Sequence, residues 1–247
     1  MPAPPAAAST DADMPPRLVP SIRAAACCAM LSAVTTILLW WLPRHVPATA
    51  DFAATIALRT NPWYLAQLWV TFAHNWIALF GYTGAAAVLA RHAPGSAVGG
   101  LVAFSIWATT ELTGISVIIF ASNRTWRASY DAADEAKRAS LRTMLEGWSA
   151  VWDGMFFLLL VAFLLGSLLF GTAAVRQKGL ARAVGVLLLA AVPLTALIMA
   201  GGYAGVAWAN TLSDAVYPVL QPASRFLMGV WLWRAAAGRR ILTAQLD

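Results

Sequence analysis

Charge is scarce in this chain. Of 247 residues only 11% are Asp, Glu, Lys or Arg, against roughly 25% in ordinary soluble domains, and 60% are hydrophobic. That balance excludes a water-soluble fold of ordinary composition and places the chain in a membrane. Histidine is scarcer still, at His45, His74 and His92. Only His74 falls inside an apolar run, which argues against a zinc set, a di-iron centre or a bis-histidine haem, so neither metal nor cofactor is expected. The two cysteines, Cys27 and Cys28, are adjacent. They cannot form an ordinary disulfide with each other, lack CxxC spacing, and read as small apolar residues. No phosphate-binding glycine loop, dinucleotide fingerprint, GxSxG elbow or HExxH helix occurs, so the common signatures of soluble enzymes are missing too. The net charge of +6 does not point to nucleic acid, because the basic residues stand at the ends of apolar runs, where membrane topology and anionic headgroups account for them.

What is present is a series of apolar runs long enough to cross a bilayer, which takes about 20 residues each. They occupy residues 24–42, 68–90, 97–122, 154–175, 181–203 and 214–234. The expected architecture is all-α: a polytopic membrane helix bundle of about six transmembrane helices with one amphipathic extramembrane helix. Residues 1–20, rich in Pro and Ala, read as a disordered tail. Residues 21–236 form the membrane domain, and 237–247 a short cytoplasmic tail. A signal peptide is the rival reading of the first run, since Ala48-Thr49-Ala50 resembles a cleavage site, but the run is longer than a typical signal core. The last run is the least hydrophobic, interrupted by Pro218, Gln221, Pro222 and Arg225.

Basic residues set the expected orientation. With the N-terminus inside, Arg17, Arg23, Arg91, Arg176, Lys178, Arg182, Arg234, Arg239 and Arg240 are cytoplasmic, nine against the seven of the other side: Arg44, Arg59, Arg124, Arg127, Lys137, Arg138 and Arg142. Five of those seven lie in one long loop, 123–153, so both termini are assigned to the cytoplasm. In that loop Leu141, Met144, Leu145 and Trp148 recur at i, i+3, i+4, i+7, the spacing of an amphipathic helix. It either lies on the outer membrane surface, extends the fourth span, or covers a cavity as a lid. Asn123-Arg124-Thr125 also matches a glycosylation acceptor, relevant only in a eukaryotic secretory compartment, whereas the Ala- and Arg-rich composition reads as bacterial.

One carboxylate, Glu111, stands in the middle of the third run, where a charge costs about 2.5–3.5 kcal/mol on insertion scales. Trp107, Ala108 and Gly114 share its helical face, and the small residues allow a neighbouring helix to approach. The sixth run offers Arg225, with Gln221, Pro218 and Asp214 near one stripe. At a rise of ~1.5 Å per residue Glu111 lies about 15 Å below the outer end of its helix, and Arg225 about 16 Å below Asp214. The two are therefore level. The second run adds Gln67, Thr71 and His74 on one face, with Asn75 beside them, while Asp153 and Asn210 stand nearer the outer boundary. The expectation is an outward-facing polar pocket of Glu111, Arg225, His74, Asn75, Gln221 and Trp107, in which Glu111 and Arg225 either pair structurally or receive a ligand.

The segments "GAAAVLARHAPGSAVGGLVAF" and "GTAAVRQKGLARAVGVLLLAA" share a small-residue approach, a basic turn and an Ala-Val-Gly restart, the pattern of a duplicated hairpin or of a composition rich in those residues. "LLFGTAAVRQKGLARAVGVLLLAA", followed by a last span ending "GVWLWRAA", resembles a broad group of bacterial six-span membrane proteins whose domain has no assigned function. The resemblance implies a six-helix fold and no activity. The small membrane-embedded terpene cyclases are similar in size and use buried carboxylates, but only one deeply buried acid is evident here and their motifs are not matched.

Three functional readings stand. The leading one is a protein of the bacterial inner membrane whose pocket binds a small apolar, anionic or lipid-like ligand, with transport as one use of it. The second is a membrane enzyme acting on an apolar substrate, with Glu111 or His74 as catalytic acid or base. The third is an accessory subunit docked to another membrane protein, or a homo-oligomer. Membrane lipids are partners in all three.

Overall fold

The computed structural model describes residues 18–237; the expected tails at 1–17 and 238–247 lie outside the described residues. No strand occurs among the described residues. α1 (Val19–Trp41) runs into a 3₁₀ turn at Leu42–His45. A short α2 (Phe52–Ala57) and a second 3₁₀ turn, Leu58–Thr60, lead to α3 (Pro62–Leu89). α4 (Pro94–Ser116) continues through eleven residues of π-helix, Val117–Arg127, into the single turn of α5 (Ala128–Tyr130). α6 (Glu135–Val175), α7 (Leu180–Tyr203) and α8 (Ala207–Ala237) complete the chain.

Local chemistry fixes these boundaries. Asp51, Asn61 and Asp134 cap α2, α3 and α6 by accepting from backbone amides three residues on, and Pro62 and Pro94 open α3 and α4 where no amide is needed. α1 begins at Val19, earlier than the expected 24, because Pro20 suits the first turn of a helix. Residues 19 and 20 therefore belong to the helix and not to the tail. Gly179, at φ +63°, makes the turn from α6 to α7.

The six long helices close a ring in chain order: α1, α3, α4, α6, α7, α8 and back to α1. Successive members run antiparallel, so the four-residue turns 90–93 and 176–179 share one end, here called the lower end, with the start of α1 and the finish of α8. The upper end holds the longer connections. Small residues let the ring close, since the Cα of Gly84 on α3 packs on Ala25 of α1, and that of Gly229 on α8 packs on Met30 and Ala26 of α1. In the lower half the interior is filled by aromatic rings, with Tyr82 stacked on Phe104 at 3.7 Å between centroids and Phe163 and Phe170 edge-on around Phe104.

The bundle's surface carries large apolar side chains, and its interior, though mostly apolar, holds most of the polar side chains of the helices' upper halves. Leu31, Val34, Phe80, Val102, Leu158 and Val219 are exposed, whereas Thr35, His74, Asn75, Ser167, Thr195 and Arg225 are buried. Among the described residues four helical stretches are long and apolar enough to cross a membrane: Val19–His45, Pro94–Tyr130, Glu135–Val175 and Leu180–Tyr203. α3 and α8 are as long, at 28 and 31 residues, but carry more polar side chains.

The amphipathic helix expected in the loop 123–153 is not a separate element. It is the first half of α6, whose 41 residues span about 62 Å at ~1.5 Å per residue, twice the ~30 Å of a bilayer's hydrocarbon. With the π-helix it forms a hairpin that projects beyond the bundle, turning at residues 131–134. Leu141 and Leu145 are its buried stripe and Met144 is exposed. The chain between α1 and α3 braces its tip through the Arg59–Asp131 ion pair at 2.6 Å and the packing of Phe52 on Tyr130. Asn123 is only 6% exposed and accepts from Arg127 Nη1 at 2.7 Å, so the glycosylation motif is folded into the π-helix.

Candidate functional site

Between the helices of the upper half lies a cavity of about 670 Å³, within the ~300–1,000 Å³ typical of sites for small ligands. Five of the six residues singled out above line it: His74, Trp107, Glu111, Gln221 and Arg225. The sixth, Asn75, is fully buried in α3 behind the wall, donating to the Thr71 carbonyl at 2.9 Å and standing close enough to Glu111 to act on its carboxyl group. Thr71 is likewise buried and outside the cavity wall. The side chain of Asn210 lies outside what the structure describes, and Asp153 accepts at its backbone carbonyl from the Tyr203 hydroxyl.

Glu111 and Arg225 do not form an ion pair; among the described residues the two recorded pairs are Arg59–Asp131 and Arg142–Glu146. The ring order gives the reason. α4 and α8 are not neighbours in the ring, and the two side chains line one cavity within electrostatic reach of each other but without an ion pair. Arg225 instead turns to α3, where its Nη1 meets His74 Nε2, and its guanidinium lies 5.6 Å from the centre of the Trp107 ring, a cation–π distance.

That contact determines the histidine's tautomer. A guanidinium only donates, so His74 Nε2 accepts and Nδ1 carries the hydrogen. Nδ1 then donates to Thr35 Oγ1, 2.7 Å away, and the threonine hydroxyl passes its own hydrogen to the Ser32 carbonyl at 3.1 Å. The chain Arg225–His74–Thr35–Ser32 ties α8 to α3 and α3 to α1. Every member is at most 9% exposed, and both ring nitrogens of His74 are engaged.

Other lining residues escape sequence reasoning. Phe156, Leu159, Leu160 and Phe163 of α6 and Ile198 of α7 make an apolar wall, while Tyr217, whose hydroxyl is 3.3 Å from Thr195 Oγ1, stands one turn before Gln221. Trp40, Pro43 and Arg44 form the upper rim of α1, opposite Ser213 and Asp214 of α8. Arg44 lies over the Trp40 ring at 3.2 Å. In α8, Pro218 and Pro222 lack the amide that would bond the carbonyls of Asp214 and Pro218, which adds backbone acceptors beside the cavity. Among the described residues no group of three or more His, Cys, Asp or Glu side chains comes together.

Several helices long and apolar enough to span a bilayer, closed around a cavity with a charged floor and apolar walls, define a membrane helix bundle. Comparison of the chain with protein-family models, with curated proteins and with solved structures returned no match.

Proposed function

We propose that the protein is a six-span component of a bacterial inner membrane, with both termini cytoplasmic and a cavity that opens outward to bind, and in one use transport, a small or lipid-like ligand. The observation that carries this reading is the cavity itself, whose floor holds Glu111 and Arg225 unpaired and whose wall on α6 is apolar. Two opposite charges set only to hold helices together gain most from contact; left without an ion pair on the lining of one cavity of about 670 Å³, they suit something placed between them. The crossing of α3 and α8 is supported by their faces. Trp69, Trp76 and Phe80 of α3 and Val219, Phe226 and Trp233 of α8 point outward, while His74, Asn75, Gln221 and Arg225 point in, so the polarity of these helices is spent inside the ring.

The enzymatic reading keeps one observation in its favour, a carboxyl group facing a substrate-sized cavity. In it Glu111 is the acid or base, since His74 has no free nitrogen to exchange a proton.

Native mass spectrometry of protein extracted with its own lipids tests the main reading. The wild type carries a bound small molecule or lipid, and the double variant Glu111→Gln, Arg225→Met loses it while keeping its helicity and its monodisperse elution. A folded double variant that carries the same species at the same occupancy leaves the polar layer with a structural role alone.

A further inference from the structure

Two unpartnered donors and one unpartnered acceptor stand around the cavity floor, with the unpartnered Tyr82 hydroxyl below them. On α8, Gln221 and Arg225 stand one turn apart, each 4% exposed and both lining the cavity. Each keeps a buried donor unmet, Gln221 Nε2 and Arg225 Nε. Arg225 cannot swing away to satisfy its own, because Nη1 is held by His74 and His74 is held by Thr35. On α3 and α4 stand acceptors. The Glu111 carboxyl group enters no ion pair, and Asn75 Oδ1, fully buried beside it, has no donor.

Each simple class of ligand fails one side. A plain anion on Arg225 is repelled by Glu111, a plain cation on Glu111 by Arg225, and a wholly apolar body leaves Gln221 Nε2, Arg225 Nε and Asn75 Oδ1 unsatisfied and gives the Glu111 carboxylate no counter-charge. A head that carries an anionic oxygen and an ammonium a few ångströms apart meets both sides at once. Charge-assisted bonds of this kind are about twice as strong as neutral ones, and the apolar wall of Phe156, Leu159, Leu160, Phe163 and Ile198 accepts a hydrophobic body attached to that head.

We propose that the cavity takes a zwitterionic amphiphile, its anionic oxygen on Gln221 and Arg225, its ammonium on Glu111 with Asn75 behind, and its apolar part against α6 and α7. This rests on the cavity being the ligand site. The same head chemistry comes from two sources, a free amino acid with an apolar side chain or the phosphoethanolamine head of a phospholipid.

Calorimetric titration of the purified full-length protein in detergent decides. L-leucine and L-phenylalanine form one arm, with N-acetyl-leucine as the anion-only and leucine methyl ester as the cation-only analogue. Dihexanoyl phosphatidylethanolamine forms the other, with dihexanoyl phosphatidic acid as its anion-only analogue. In one arm the zwitterion binds about tenfold or more tighter than its singly charged analogues, the size of difference one charge-assisted contact supplies, and that arm names the source. Glu111→Gln abolishes the preference over the anion-only analogue; the comparison of ligands on the wild type stands even if that variant does not fold. Equal binding of zwitterion and anion-only analogue overturns the proposal, and so does the absence of zwitterion binding in both arms. If a species of another class is then retained in native mass spectrometry, the cavity remains a ligand site and only the zwitterion assignment falls; if nothing is retained either, both fall together.

Discussion

Thr35 is the residue on which the polar floor hangs. It accepts from His74 Nδ1 at 2.7 Å and thereby holds the ring so that Nε2 faces Arg225. Thr35→Val keeps the shape and removes the acceptor, leaving a buried N–H unpaired at a cost of about 1–3 kcal/mol. Unfolding of the purified protein in detergent should show that loss, and the loss should shrink toward zero in a His74→Phe background, because the two residues act through one bond. Equal losses in both backgrounds would sink the relay. The sequence disclosed the anomalous residues of this floor but not their partners. Glu111, Arg225 and His74 are visible because polar groups in apolar runs are expensive, and their depth follows from counting residues. Which helices adjoin does not follow from depth, so the level pair Glu111 and Arg225 reads either as a structural ion pair or as two arms of a ligand site, and in the ring, where α4 and α8 are not neighbours, the two form no ion pair. Thr35 gives no signal at all, since a threonine in a helix usually bonds its own backbone, as Thr36 does to Ser32.

Helix contacts are set by glycines that are not equivalent. A Cβ on Gly185 of α7 would meet backbone atoms of α6, Val175 N and Ala174 C, and backbone cannot step aside as a side chain can. Gly185→Ala should therefore destabilise by about 1–3 kcal/mol. Gly147, exposed in the projecting half of α6, has nothing within 4 Å, so Gly147→Ala should stabilise by about 0.5–1 kcal/mol through helix propensity alone. Denaturation midpoints of the two variants checks the opposite signs; a shared sign would contradict the packing described here. At this scale the sequence was more legible. Six apolar runs became six long helices, four of which length and hydropathy alone mark as able to cross a membrane, and the i, i+3, i+4, i+7 stripe of Leu141 and Leu145 was readable as helix. Its fusion with the fourth run was less so: residues 146–153 mix polar side chains with Trp148, Val151 and Trp152, and only the packing of Trp152 against Gly114 of α4 shows that the helix passes through without a break.

The whole molecule turns on whether α3 and α8 cross the bilayer, and single cysteines placed on a Cys27→Ala, Cys28→Ala background separate the alternatives. If all six long helices cross, positions Ala50, Lys137 and Ala204 share one side and His92, Lys178 and Arg234 the other, since each long helix reverses the chain. If α3 and α8 lie along the surface and only the four most apolar stretches cross, Ala50 joins His92 and Lys178, while Arg234 joins Lys137 and Ala204. Ala50 against His92, and Ala204 against Arg234, are thus the deciding pairs, and a membrane-impermeant maleimide applied to spheroplasts before and after permeabilisation reads them directly. The inward aim of His74, Asn75, Gln221 and Arg225 and the outward aim of Trp76, Phe80, Val219 and Phe226 suit the proposed six-span pattern, because a helix lying on the surface would offer its polar face to water and its apolar face to lipid. On that proposal the basic residues Arg91, Arg176, Lys178, Arg182 and Arg234 put the lower end in the cytoplasm. Labelling of Ala50, Lys137 and Ala204 before permeabilisation, and of the other three only after it, is the expected result. The cavity, whose rim is Trp40, Pro43 and Arg44, would then face the periplasmic side, so its ligand arrives from there or from the outer leaflet.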